Sequence, residues 1–199
     1  MKFAQHLVNH RESLLRSINQ RIGALKLICR VANFKTRKMI ADGIVMSKII
    51  YLIELWGGSS KYLMEALQKA QNRAARFVTR LEWNTPTGEL LKQCGWLSIQ
   101  QLSVYHSVVL VYKVMLNKSP KYLYTMFSTK YIYRTSQAHN KILRQSRNFS
   151  LNITRDSFRG RAAMHYNQLP LDIRNSASIQ QFKKDAKAWV SGNISIYPQ

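Results

Sequence analysis

The sequence predicts a mostly α protein, and three observations carry that prediction. Apolar residues recur every three or four positions over most of the chain. Two apolar stretches open on a Ser-x-x-Gln pattern, Ser98-Ile99-Gln100-Gln101 and Ser178-Ile179-Gln180-Gln181, which fits a capping box. Gly and Pro fall mainly between the periodic stretches, where chain breaks belong.

Phe3 to Val31 reads as a long helix with Leu7, Leu14, Leu15, Ile18, Ile22, Leu25 and Ile28 on a broad apolar face; Gly23 within it marks close packing or a weak point. Asn33 to Lys38 is a basic connector, with Thr36 placed as an N-cap. Met39 to Trp56 reads as a buried apolar helix, because Asp42, Lys48 and Glu54 oppose its insertion in a membrane. Gly57 to Ser60 breaks the chain. From Lys61 to Leu81 an apolar stripe of Leu63, Leu67, Ala70, Ala74, Phe77 and Leu81 runs beside Lys69, Arg73, Arg76 and Arg80. At 100° per residue those four cations fall within an arc of roughly 60°. Neighbours at this spacing repel, and Glu65 and Glu82 lie only near the ends.

Thr85-Pro86 starts a short helix to Gln93 that ends around Gly95. The helix behind Ser98 runs to about Leu116, with Ile99, Leu102, Tyr105, Val109, Tyr112 and Leu116 inward, and Asn117 and Pro120 end it. Lys121 to Phe127 adds one or two turns. Ser128 to Asn148 is polar, basic and weakly periodic, a connector or binding loop. Phe149, Leu151 and Ile153 alternate as a short strand would. A helix over Gly160 to Gln168, stopped by Pro170, precedes a last helix from Ile179 to Val190 that buries Ile179, Phe182, Ala186 and Trp189.

The charge is the outstanding feature. Lys and Arg number 31 and Asp and Glu number 9 in 199 residues, a formal net charge of +22. Such a field favours polyanions, nucleic acid first. Two cysteines, Cys29 and Cys94, read as buried small hydrophobes in a reducing compartment. His6, His10, Arg11 and Glu12 interrupt any apolar leader, so an intracellular protein, nuclear or cytoplasmic, is expected, with no membrane partner. Nine scattered acids supply no carboxylate cluster for divalent metal, and no zinc-ligand spacing or phosphate-cradling glycine loop occurs. No metal, cofactor or catalytic residue is expected. Ser103, His106 and Ser107 share a helix, but no orienting carboxylate is expected near them, so they do not point to nucleophilic chemistry.

Binding chemistry remains. Lys35, Arg37 and Lys38 form one basic cluster, Lys69, Arg73, Arg76 and Arg80 a second, and Arg144, Arg147 and Arg155 a third, with Arg159 and Arg161 close behind. Tyr122, Tyr124, Tyr131 and Tyr133 lie among cations; core packing is the leading role for the first two, while for Tyr131 and Tyr133 packing and base stacking stay equally open.

Several segments, in order, resemble one family. These are Ile22-Gly23-Ala24-Leu25 through Trp56-Gly57, Leu67-Gln68-x-x-Gln71-Asn72-Arg73-Ala74-Ala75-Arg76, Gly95-Trp96-Leu97-Ser98, and Ser119-Pro120-x-Tyr122-Leu123. Ser157-Phe158-Arg159-Gly160, Tyr166-Asn167-Gln168-Leu169-Pro170 with Ile173-Arg174, and Ser178-Ile179-x-x-Phe182-Lys183 follow. Together they resemble the C-terminal, thumb and post-thumb, part of the reverse transcriptase of LINE-type (non-LTR, jockey-like) retrotransposons. Tyr166 stands where that family usually has Trp. The catalytic aspartates of the palm have no counterpart in the chain, so the resemblance implies no enzyme in its own right. It implies a helical thumb-like bundle and post-thumb region over residues 1–127, the basic connector over 128–148, and a smaller, loop-rich C-terminal helical subdomain over 149–199. It implies a grip on nucleic acid, RNA template or target DNA. A helical domain that docks on the polymerase palm, or a decayed fragment without function, are the alternatives left open.

Overall fold

The computed structural model describes residues 2–28, 31–58, 60–117, 120–127, 143 and 157–196, with 2–12 and 28 described by backbone alone. Every regular element among the described residues is helical. The expected strand over Phe149–Ile153, the connector's tyrosines Tyr131 and Tyr133, and Cys29 lie outside the described residues.

The elements are α1 (Lys2–Ile28), α2 (Phe34–Ala41), a π-helical turn (Asp42–Met46), α3 (Ser47–Ile50), α4 (Ile53–Trp56) and α5 (Lys61–Thr79). After them come α6 (Thr87–Cys94), α7 (Ile99–Asn117), α8 (Lys121–Phe127), α9 (Phe158–Gln168), α10 (Leu171–Arg174) and α11 (Ile179–Asn193). They fall into two compact units: residues 1–53, 59–102 and 195–199, and residues 54–58 and 103–194. The division passes through α7, whose first turn belongs to one unit and whose remainder belongs to the other. Sequence patterning could not show this, because α7 is apolar on several faces: Val104, Val108, Val111 and Val114 are buried beside the expected Ile99, Leu102, Val109 and Tyr112. Leu116, expected inward, is exposed.

In the first unit the caps set the boundaries. Asn33, not Thr36, caps α2: its side chain accepts from Thr36 N at 2.9 Å, since the cap bonds to a backbone N–H two or three residues on. The stretch expected as one helix to Trp56 is divided by the π-helical turn and again at Leu52, whose φ of 54° no helix continues. Gly95 takes φ 66°, and Gly95 N donates to Lys92 O while Trp96 N donates to Leu91 O, the two bonds of a Schellman end to α6. Ser98 and Gln101 form the expected reciprocal box, Gln101 N to Ser98 Oγ at 3.2 Å and Ser98 N to Gln101 Oε1 at 3.0 Å.

The second unit packs α11 through Phe182, Ala186 and Val190; Ile179 and Trp189 are half-buried. Phe182 stacks on Tyr112 with ring centroids 4.0 Å apart and planes 10° apart, and Tyr112 Oη donates to Ser176 O at 2.7 Å. Ser157 caps α9 through Gly160 N. Asn167 clamps Leu143 in both directions, donating to its carbonyl and accepting from its N–H, each at 2.8 Å. Tyr166 is buried, so an aromatic at this position serves packing, and the same burial pushes the pKa of its hydroxyl up to about 12.

Candidate nucleic-acid interface

The cations of α5 are held out by a buried polar ladder on the same helix. Gln68 and Gln71 are buried. Gln68 Nε2 donates to Gln71 Oε1 and Asn72 Oδ1, both at 2.9 Å, and Gln68 Oε1 accepts from Ile99 N at 2.9 Å. Gln71 Nε2 donates to Leu97 O at 2.8 Å, and Asn72 Nδ2 to Thr87 Oγ1 at 2.8 Å. The Gln71-Asn72 pair therefore ties α5 to the segment from α6 to α7. A buried amide in such a ladder is costly to remove, because each partner then loses its bond away from water. Gln71→Leu is expected to lower unfolding stability by about 2–3 kcal/mol, read by urea denaturation, without changing any exposed charge.

On the other arc Lys69, Arg73 and Arg80 are exposed. Arg73 Nη2 donates to Asn19 Oδ1 of α1 at 2.6 Å, an exposed contact that steadies the guanidinium. Arg80 follows the last turn in the left-handed region, φ 61° and ψ 22°, with its N–H bonded to Arg76 O at 2.8 Å. Arg76, expected as a fourth phosphate contact, is half-buried and committed: its guanidinium lies over the Trp83 ring, 4.5 Å from the centroid, and Nη2 donates to Trp83 O at 3.0 Å.

The cluster at Lys35, Arg37 and Lys38 is split by the fold. Lys35 is exposed, whereas Lys38 pairs with Asp42 at 2.8 Å. Asp42 also accepts from Trp96 Nε1 at 2.7 Å. Arg37 is only 6% exposed; its Nε donates to Val78 O and its Nη1 to Ala32 O, each at 2.8 Å. Val78 lies in the last turn of α5, whose carbonyls lack partners within the helix and carry its negative dipole end. Arg37 thus closes a helix end and presents no charge to a phosphate.

Arg161, in the second unit, does the same for α4: Nη2 donates to Glu54 O at 3.0 Å and Leu55 O at 3.4 Å, and Nη1 to Ser103 Oγ at 3.5 Å. Arg159 beside it is exposed. Arg144, Arg147 and Arg155 lie outside the described residues. Of the eleven candidates, then, the fold leaves Lys69 and Arg73 exposed on α5 and Arg80 exposed directly after its last turn, with Lys35 and Arg159 elsewhere at the surface.

A carboxylate does approach His106, contrary to the sequence reading: Glu54 Oε1 lies 3.8 Å from Nδ1. Burial lowers the histidine's pKa, with Glu54 opposing that shift. Ser107 Oγ is buried with no hydrogen-bond partner, and Ser103 Oγ accepts from Arg161. Burial raises the pKa of the Cys94 thiol to about 11, consistent with an inert packed side chain. Among the described residues no cluster of His, Cys, Asp and Glu is placed to hold a metal ion, and no helix is long and apolar enough to cross a membrane.

Trp83 is the site residue that sequence reading passed over. A signal existed: a large aromatic in a turn between Glu82 and Asn84 has little chance of burial. Compared with family models, with curated proteins and with solved structures, the chain finds no match in any of the three.

Proposed function

We propose that the protein is a non-catalytic nucleic-acid-binding module that grips the phosphates of an RNA template or target DNA inside the cell, as its resemblance to the C-terminal region of a non-LTR reverse transcriptase implies. The observation that carries this reading is the exposure of Lys69 and Arg73 on α5 and of Arg80 directly after it, on a helix tied to its neighbours by the hydrogen bonds of Gln68, Gln71 and Asn72. The net charge of +22 supports it, because a protein with so few acids relieves self-repulsion by taking up a polyanion. Each phosphate neutralised releases counterions, so affinity must fall as salt rises. Fluorescence anisotropy of a labelled RNA oligomer, titrated with the protein from about 50 to 200 mM salt, is expected to give a straight line of log affinity against log salt with a negative slope. Binding independent of salt, or no binding, overturns the reading.

A second reading, docking on a polymerase palm, is favoured by the apolar side chains of Leu27, Val31, Phe34 and Met39, all exposed around the turn from α1 to α2. Co-purification with a separately expressed palm fragment after nuclease treatment tests it; failure to associate counts against it.

A further inference from the structure

Trp83 stands in the turn after α5 with 78% of its surface exposed. An indole in water forgoes the stabilisation of burial, yet this one is held in place. The Arg76 guanidinium covers one ring face at 4.5 Å, within cation–π range. The same guanidinium bonds the Trp83 carbonyl at 3.0 Å, and Thr85 N closes the turn on Glu82 O at 3.2 Å. Arg76 Nε is buried with no partner of its own, so the side chain is fixed here at some cost. Arg76 lies one turn from Arg73 on α5, and Arg80 follows the helix end directly. A flat aromatic surface backed by a cation therefore sits beside cations suited to phosphate.

Unpaired bases offer their π-faces to such a surface, and every base has one, so stacking is tolerant of sequence. A duplex keeps those faces inside its own stack. We propose that Trp83, positioned by Arg76, is a stacking platform for an unpaired base, so that this interface selects single-stranded nucleic acid over duplex without reading sequence. The proposal rests on the phosphate-gripping reading above. Arg76 acts in it as a positioning residue rather than a contact.

The test uses the full chain and two labelled probes, an oligouridine of about a dozen nucleotides and an RNA duplex of equal length. Trp83→Ala is expected to weaken oligouridine binding roughly 5- to 100-fold, to leave duplex binding unchanged, and to leave the salt slope unchanged. Trp83→Phe restores most of the loss. Arg76→Gln weakens oligouridine binding in the native background but adds little to Trp83→Ala, the non-additivity of two residues in one assembly. Far-UV circular dichroism checks that the variants fold, as the exposure of Trp83 leads one to expect for its replacements. Equal losses for both probes, or no loss for either, overturn the platform. If the platform fails while Lys69, Arg73 and Arg80 still set the salt slope, the phosphate grip stands; if the native chain binds neither probe, both fall.

Discussion

Replacing Lys69, Arg73 and Arg80 together by glutamine is expected to weaken RNA binding about a hundred-fold at 0.1 M salt and to flatten the slope of log affinity against log salt by about 2. The figure follows from three phosphates losing their partners, each worth about 0.7 of slope on a single strand. All three side chains are exposed, and Asn19, which accepts from Arg73, is itself at the surface, so folding should change little. Arg37→Gln and Arg161→Gln each remove one formal charge of the same sign and make the natural controls for the single replacements within the triple variant. Each bonds main-chain carbonyls, so each is expected to reduce thermal stability while leaving the salt slope nearly intact. A triple variant that binds with undiminished salt dependence would place the phosphate contacts elsewhere.

Phe182→Ala is expected to destabilise the second unit by about 3–5 kcal/mol. Phe182 is fully buried and lies flat on Tyr112 at 4.0 Å, so truncation removes a large apolar surface and the ring pair, the latter worth about 0.5–1.5 kcal/mol. The cavity opens where Tyr112 Oη is bonded to Ser176 O, so the loss extends to the turn before α11. Urea denaturation followed by near-ultraviolet circular dichroism reads both, because the stacked rings contribute the signal. No charge changes, so the salt slope of RNA binding should stay as in the native chain. A shift below about 1 kcal/mol would mean that α11 is not anchored here.

Much of the helical framework was legible because its determinants are local. Ser98-x-x-Gln101 and Gly95 after α6 are chosen by groups within a turn of themselves, and they sit where the sequence puts them; Ser157, which starts α9 two residues before the expected Gly160, acts as locally but was not singled out. The second box is only half made: Ser178 accepts from Gln181 N, but the Gln181 side chain turns forward to Asp185 at 2.7 Å. The π-helical turn and the reversal at Leu52 carried no such mark. The binding residues were legible as charge and not as role. Whether an arginine meets phosphate or carbonyl depends on which helix ends nearby, and a main-chain carbonyl leaves no trace in the side-chain pattern. Arg37, Arg76 and Arg161 were therefore indistinguishable from Arg73 until the chain was folded. The Gln71-Asn72 pair beside Arg73 turned out to be a structural latch for the same reason: its partners are Leu97 O and a threonine fifteen residues away.

Arg80 bears on how this surface is maintained. A non-glycine residue in the left-handed region gives up about 1 kcal/mol, and glycine at this position would recover it without disturbing the N–H bond to Arg76 O. Backbone conformation alone thus favours glycine here, whereas attraction for a polyanion favours arginine. The two demands pull apart at a single position, and an Arg80→Gly chain that is sturdier yet a poorer binder would show which of them governs the residue found there.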